Sequence, residues 1–193
     1  MHKRTFLFKS AAALVFAGAA LSGCTTTTTS GKADPGAVRT EIDNGVDSTL
    51  NRLYGEVKGS RELVAKSNAV LVFPRVLAAG LVVGGEYGKG ALRIKGQHGG
   101  YYSIASASVG LQAGAQSKAV VLLFMTQEAF DKFRQSKGWT AGVDASVAII
   151  KVGVNGEIDT ATVNNPVQAL VLTNAGLMAN LTLEGTKISR LEL

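Results

Sequence analysis

Apolar positions recur at two periods along this chain, and the change from one to the other organises it. Val38, Ile42, Val46, Leu50, Leu53, Tyr54 and Val57 fall at steps of three and four, the spacing of one face of an amphipathic helix. Asp34 and Pro35 ahead of them supply an N-cap and a proline at the first helical position. Gly59 interrupts the pattern, and Ser60 is placed to cap a second short helix ending near Lys66. Beyond it the apolar runs shorten. "AVLVFP" (69–74) reads as a buried strand, and "AGLVVGGEYGKGALRIKG" (79–96) continues it with glycines that allow bulges or strong curvature. "QHGG" (97–100) predicts a turn before the strand "YYSIASASVGLQAGAQ" (101–116), and "AVVLLFMT" (119–126) predicts a central strand. Thr126 is positioned to cap a helix over "QEAFDKFRQSKG", with Phe130 and Phe133 inward and Gly138 at its end. Four more strands follow in "VDASVAIIKV", "EIDTATV", "VQALVLT" and "LMANLTLEGTKISRLEL", with hairpin signals at Asn155-Gly156 and Asn174-Ala175-Gly176. The expected fold is α+β: N-terminal amphipathic helices packed on a curved, Gly-rich antiparallel β-sheet or partly closed barrel.

The segment before the first helix has a different pattern. Residues 1–23 begin with His2, Lys3, Arg4 and Lys9 and continue into an apolar stretch from Ala11 to Leu21. That stretch is shorter than the roughly 20 residues needed to cross a bilayer, and the whole reads as a secretory signal peptide. Leu21-Ser22-Gly23-Cys24 resembles the lipobox of bacterial lipoproteins. The resemblance implies cleavage before Cys24, a diacylglyceryl group on its thiol and an acyl chain (palmitate or similar) on the new amine. Cys24 is the only cysteine, so it has no internal disulfide partner. Three acyl chains exceed what stable anchoring requires. Thr25 follows where an aspartate would signal inner-membrane retention, so the expected location is the outer membrane, with the domain facing the periplasm. Residues 24–34 then read as a lipidated flexible tether, since "TTTTTSGKADPG" (25–36) is too polar and small to order itself. Residues 35–193 read as a single domain.

Removing the signal changes the charge. The full chain carries 20 basic and 14 acidic residues, +6. Three of the basic residues and none of the acidic ones leave, so 17 face 14 in the mature chain, +3. That balance does not suggest nucleic acid and is compatible with anionic lipid head groups.

Motifs for catalysis are missing where they are looked for. His98, in a glycine-rich segment, is the one histidine left after the signal, too few for a usual zinc or copper site and with no nucleophile elbow near it. "GGEYGKG" lacks both the Walker A spacing and the dinucleotide-binding order of glycines. No cofactor and no metal is expected, and no enzymatic activity. Arg75, Lys89, Arg93 and Lys95 cluster around the Gly-rich strands near Tyr87, Tyr101 and Tyr102, with Glu86 the only acidic residue in the stretch. Cations beside tyrosines suit a phosphate head group at an interface. Trp139, the only tryptophan, reads as a core residue rather than a membrane anchor.

"AVLVFPRVLAAGLVVGGEYGKGALRIKG", "GYYSIASASVGLQAGAQSKAVVLLFMT", "SKGWTAGVDASVAI" and "GLMANLTLEGTKISRL" resemble the SYLF domain family, in family order, over roughly Ala65 to Leu193. Eukaryotic members bind phosphoinositide-rich membranes and, in the fungal branch, actin filaments; bacterial members are often lipoproteins or secreted. The resemblance implies a non-enzymatic lipid-binding domain, although a periplasm-facing domain meets neither phosphoinositides nor actin in its own cell. Two functions follow as expectations. One is a module that binds phospholipid or a lipid-like ligand at membrane surfaces. The other is an envelope structural or interaction module that has a protein partner and only its acyl chains in the membrane.

Overall fold

The computed structural model describes residues 34–80, 83–109, 114–150, 158, 165–174, 176–177 and 183–193. Helix α1 spans Pro35–Glu56, and the Asp34 carboxylate accepts from the backbone N–H groups of Gly36 and Ala37, as a capped proline start requires. Ile42, Val46 and Leu53 are buried along its inner face. Helix α2 spans Ser60–Lys66. Here the cap differs from expectation, because Gly59 holds the N-cap position at φ 80° and Ser60 lies inside the helix. The buried Ser60 hydroxyl instead donates to the carbonyl oxygens of Leu53 and Val57, tying α2 to the end of α1. Helix α3 spans Gln127–Gln135, and Thr126 caps it by accepting from the Ala129 N–H. It ends at Ser136, two residues before the glycine expected to stop it.

The strands are β1 (Ala69–Gly80), β2 (Val83–Ile94), β3 (Gln97–Val109), β4 (Gly114–Phe124), β5 (Trp139–Thr140), β6 (Val147–Ile149), β7 (Val167–Thr173), β8 (Gly176–Leu177) and β9 (Lys187–Leu191). They form one sheet in the order β5-β9-β3-β2-β1-β4-β7-β6, with β8 paired to β7. It curls as an open half-barrel with the helices packed against it. Every pairing is antiparallel except β6 with β7. β1 runs on through Pro74 because its register shifts on both sides there, between Val72 and Arg75 against β2 and between Phe73 and Val76 against β4, and such an irregularity tolerates the missing N–H. Of the four late strands expected, "VQALVLT" is β7 in full, and among the described residues of the first, Val147–Ile149 form a strand. Most of "EIDTATV" and the Asn155-Gly156 hairpin lie outside the described residues, as do Cys24 and the rest of the segment before Asp34.

The turn expected at 97–100 sits two residues earlier. Lys95 (φ 49°) and Gly96 (φ 82°) are the two residues between the paired Ile94 and Gln97, a left-handed pair of the kind that joins twisted strands tightly. Asparagine or glycine is favoured at the first of these positions, and a lysine there costs about 1 kcal/mol in backbone strain. Lys95 is the only non-glycine residue at positive φ among those described.

Two cores lie on opposite faces of the sheet. On one, α1 and α2 cover Val70, Val72, Ala91, Val121, Leu123 and Leu170. On the other, α3 and Trp139 cover Leu71, Phe73, Leu92, Leu122, Phe124 and Ala169. Successive side chains of one strand therefore feed different cores, as the period of two demands. The unit Ala33–Leu193 contains both cores.

Candidate functional site

Strand parity decides which of the expected site residues meet. Arg75 pairs with Lys89, Leu77 with Tyr87, and Ala91 with Tyr101. Ala91 and Tyr101 belong to the core under α1, so Tyr87, Lys89 and Arg93, at even steps from Ala91, point to that same face. Tyr102 points to the other, where it is buried and its ring lies 5.1 Å from that of Phe133. Tyr102 is thus a core residue, separated by the sheet from the cations beside which its sequence position had placed it. Glu86 also faces away. It accepts from the Lys118 ammonium at 2.7 Å and from the Ser106 hydroxyl, which leaves the α1 face of this stretch without an acidic side chain from β2.

The remaining residues fall into two groups along β2. Arg93 and Tyr101 are engaged with α1. The Arg93 guanidinium donates to Asp43 at 2.9 Å and lies 3.8 Å from Asp47, and the Tyr101 hydroxyl donates to the other Asp43 oxygen at 2.8 Å. His98 closes the group, with Nδ1 3.1 Å from Arg93 and its ring 4.4 Å from that of Tyr101. Burial on its own would push the Asp43 carboxyl up, but the Tyr101 and Arg93 hydrogen bonds outweigh it and hold the group below its ordinary value of 3.8. A carboxylate with a lowered folded pKa contributes stability above its unfolded pKa, and that stability is lost as pH falls through the folded value. Acid titration below about pH 4 is therefore expected to weaken the helix–sheet clasp. Asp43→Asn should lose about 1 kcal/mol at neutral pH, discounted for the half-exposed side chain, and should lose less stability than the parent on acidification. Urea midpoints at pH 7 and pH 3.5 check both signs.

Arg75, Lys89 and Tyr87 lie farther along the sheet, where the helices no longer cover it. Tyr87 is 50% exposed and its cross-strand partner Leu77 54%. Ser117 and Ala105 complete that rung, and both are small enough to leave the two large side chains standing above the surface. Arg75 and Lys89, both exposed, form the adjacent paired rung. Leu77 carried no signal in the sequence, since a leucine in an apolar run reads as core. Its exposure follows from the register shift beside Pro74, which sets Val76 inward and Leu77 outward.

At the other end of β2, about 20 Å and about 26 Å along the chain from Tyr87 at ~3.3 Å per residue, Arg93 and Lys95 line a cleft of about 540 Å³. Leu50 and Tyr54 of α1, Val64 of α2 and Val70 of β1 form its apolar walls. Among the described residues, no three His, Cys, Asp or Glu side chains converge as a metal site would need. No helix among them is long and apolar enough to cross a membrane.

Comparison with known families finds a match over the second half of the sheet. Residues 105–192 match the family described as Ysc84, Las17-binding protein actin regulator, which supports a SYLF domain in this chain. The matched span runs from the middle of β3 through β9. No curated protein matches the chain.

Proposed function

We propose, on the premise of a SYLF domain over residues 105–192, that the chain is a non-enzymatic lipid-binding module held to the outer membrane by acyl groups on Cys24. Its domain applies the uncovered end of the sheet to anionic phospholipid. One observation carries the reading: the exposed Leu77–Tyr87 pair sits one rung from the exposed Arg75–Lys89 pair on the same face. Side chains of the first kind enter the boundary between head groups and acyl chains. Cations of the second kind add about 1 kcal/mol each near an anionic surface. The acyl chains keep the domain at the membrane, and the patch orients it there.

Co-sedimentation of residues 25–193 with zwitterionic and anionic vesicles at two salt concentrations tests this. Binding is expected to be selective for anionic vesicles and weaker at high salt. Arg75→Glu with Lys89→Glu should lower it at least about tenfold, and Leu77→Asp should lower it at both salt concentrations. Binding that survives the double charge reversal would refute this assignment of the surface. No binding by the parent would leave the acyl chains as the membrane contact and point the exposed pair toward an envelope protein partner.

A further inference from the structure

The cleft between α1, α2 and the β2–β3 turn is distinct from the uncovered patch and has a chemistry of its own. Leu50, Val64 and Val70 give it apolar walls beside the polar Ser67 and Asn68, and its charged lining residues are three cations, Lys66, Arg93 and Lys95, against one acid, Asp47. Arg93 is committed to Asp43. Lys66 and Lys95 form no ion pair with a carboxylate among the described residues. A site of about 540 Å³ falls in the ordinary range for small ligands, about 300–1,000 Å³, and gives room for one aliphatic chain rather than the two of a phospholipid.

A second observation singles out Lys95. Its backbone adopts the left-handed conformation at φ 49°, in a turn position where asparagine or glycine would be relaxed. Strain of this kind points to a functional role when the strained residue lines a site, as Lys95 does. We infer that the cleft binds a single-chain anionic amphiphile, with its chain against Leu50, Val64 and Val70 and its carboxylate or phosphate head against Lys95 and Lys66. Lys95 is retained for that head group at the expense of the turn.

The test is calorimetric titration of residues 25–193 with laurate, with dodecyl phosphate and with an uncharged dodecyl sugar ether, all below their micelle concentrations. Either anionic probe should bind and the uncharged one should not; binding of one or both anions supports the inference and assigns the head group. Lys95→Asn should reduce affinity about tenfold, the loss of one charged hydrogen-bond partner. The same substitution should raise the melting temperature by about 2–4 °C by relaxing the turn. That combination separates a binding residue from a structural one, whose removal would lower both. Failure of both anionic probes to bind, equal binding of the uncharged probe, unchanged affinity in Lys95→Asn, or a lower melting temperature in that variant would each overturn the inference. Vesicle binding reports on the Leu77–Tyr87 surface alone, so the two readings can fail independently.

Discussion

Gly90→Ala is expected to destabilise the domain by at least about 3 kcal/mol, the upper range for overpacking a well-packed interior. A Cβ built on Gly90 falls inside contact distance of the Val72 carbonyl oxygen and 2.6 Å from Cδ1 of Phe73. Carbonyl and ring both belong to β1 at the start of its register shift. The nearer obstacle, the Val72 carbonyl, is backbone, which cannot turn aside as a side chain could, and β2 must move away from β1. Such a displacement would also disturb Ala91 and Leu92, which are buried in the two different cores. Gly55→Ala is the matching control. Nothing lies within 4 Å of a Cβ at Gly55, and removing a helical glycine should stabilise by about 0.5–1 kcal/mol. Urea unfolding of the two variants should therefore move in opposite directions from the parent. Equal and small effects would mean that β1 and β2 adjust freely where their backbones meet.

The contrast bears on how much of the molecule was legible in the sequence. Local signals were read well because local chemistry decides them. Asp34-Pro35 starts α1 and Thr126 starts α3, both through backbone N–H groups that need an acceptor. The glycines of "GGEYGKG" lie within β2, and Gly90 is there because of close approach rather than a ligand. Gly99-Gly100 attracts the turn reading to 97–100, whereas Lys95, which occupies the actual turn, is an unfavourable turn residue on composition alone. Ser60 reads as a cap because a serine stands before an apolar run, while its acceptors, Leu53 and Val57, lie behind it in the chain.

The candidate site was less legible, for two physical reasons. A strand separates neighbours onto opposite faces, so Tyr101 and Tyr102 part company although they adjoin in sequence. A pair such as Arg93 and Asp43, 50 positions apart, leaves no local trace. The sequence located a basic, tyrosine-bearing region, and the register divided it into a helix clasp, an uncovered patch and a cleft. Leu77 and Lys66 joined those sites only once the register shift in β1 and the end of α2 were known.

Phe133→Ala is expected to cost about 3–5 kcal/mol, the usual range for truncating a buried phenylalanine. Phe133 is the residue of α3 that the opposite core closes around, with ring centroids 4.7 Å from Phe124, 5.1 Å from Tyr102 and 5.9 Å from Trp139. Removing it leaves a cavity bounded by three rigid rings, which collapse poorly. Against a typical total stability of about 5–15 kcal/mol, that loss would place much of the population near unfolding at moderate urea. Trp139→Phe should behave differently although Trp139 is the larger side chain. Its Nε1 is buried and has no acceptor among the described residues, so phenylalanine removes an unsatisfied donor while surrendering contact area. The two effects oppose each other and should leave a change within about 1 kcal/mol. Both residues lie on the face away from Leu77 and Tyr87. Trp139→Phe should therefore bind anionic vesicles as the parent does, and Phe133→Ala should do so at temperatures below its melting transition. A Trp139→Phe variant that folds with parental stability yet loses vesicle binding would show that the α3 face, not the uncovered end of the α1 face, meets the membrane.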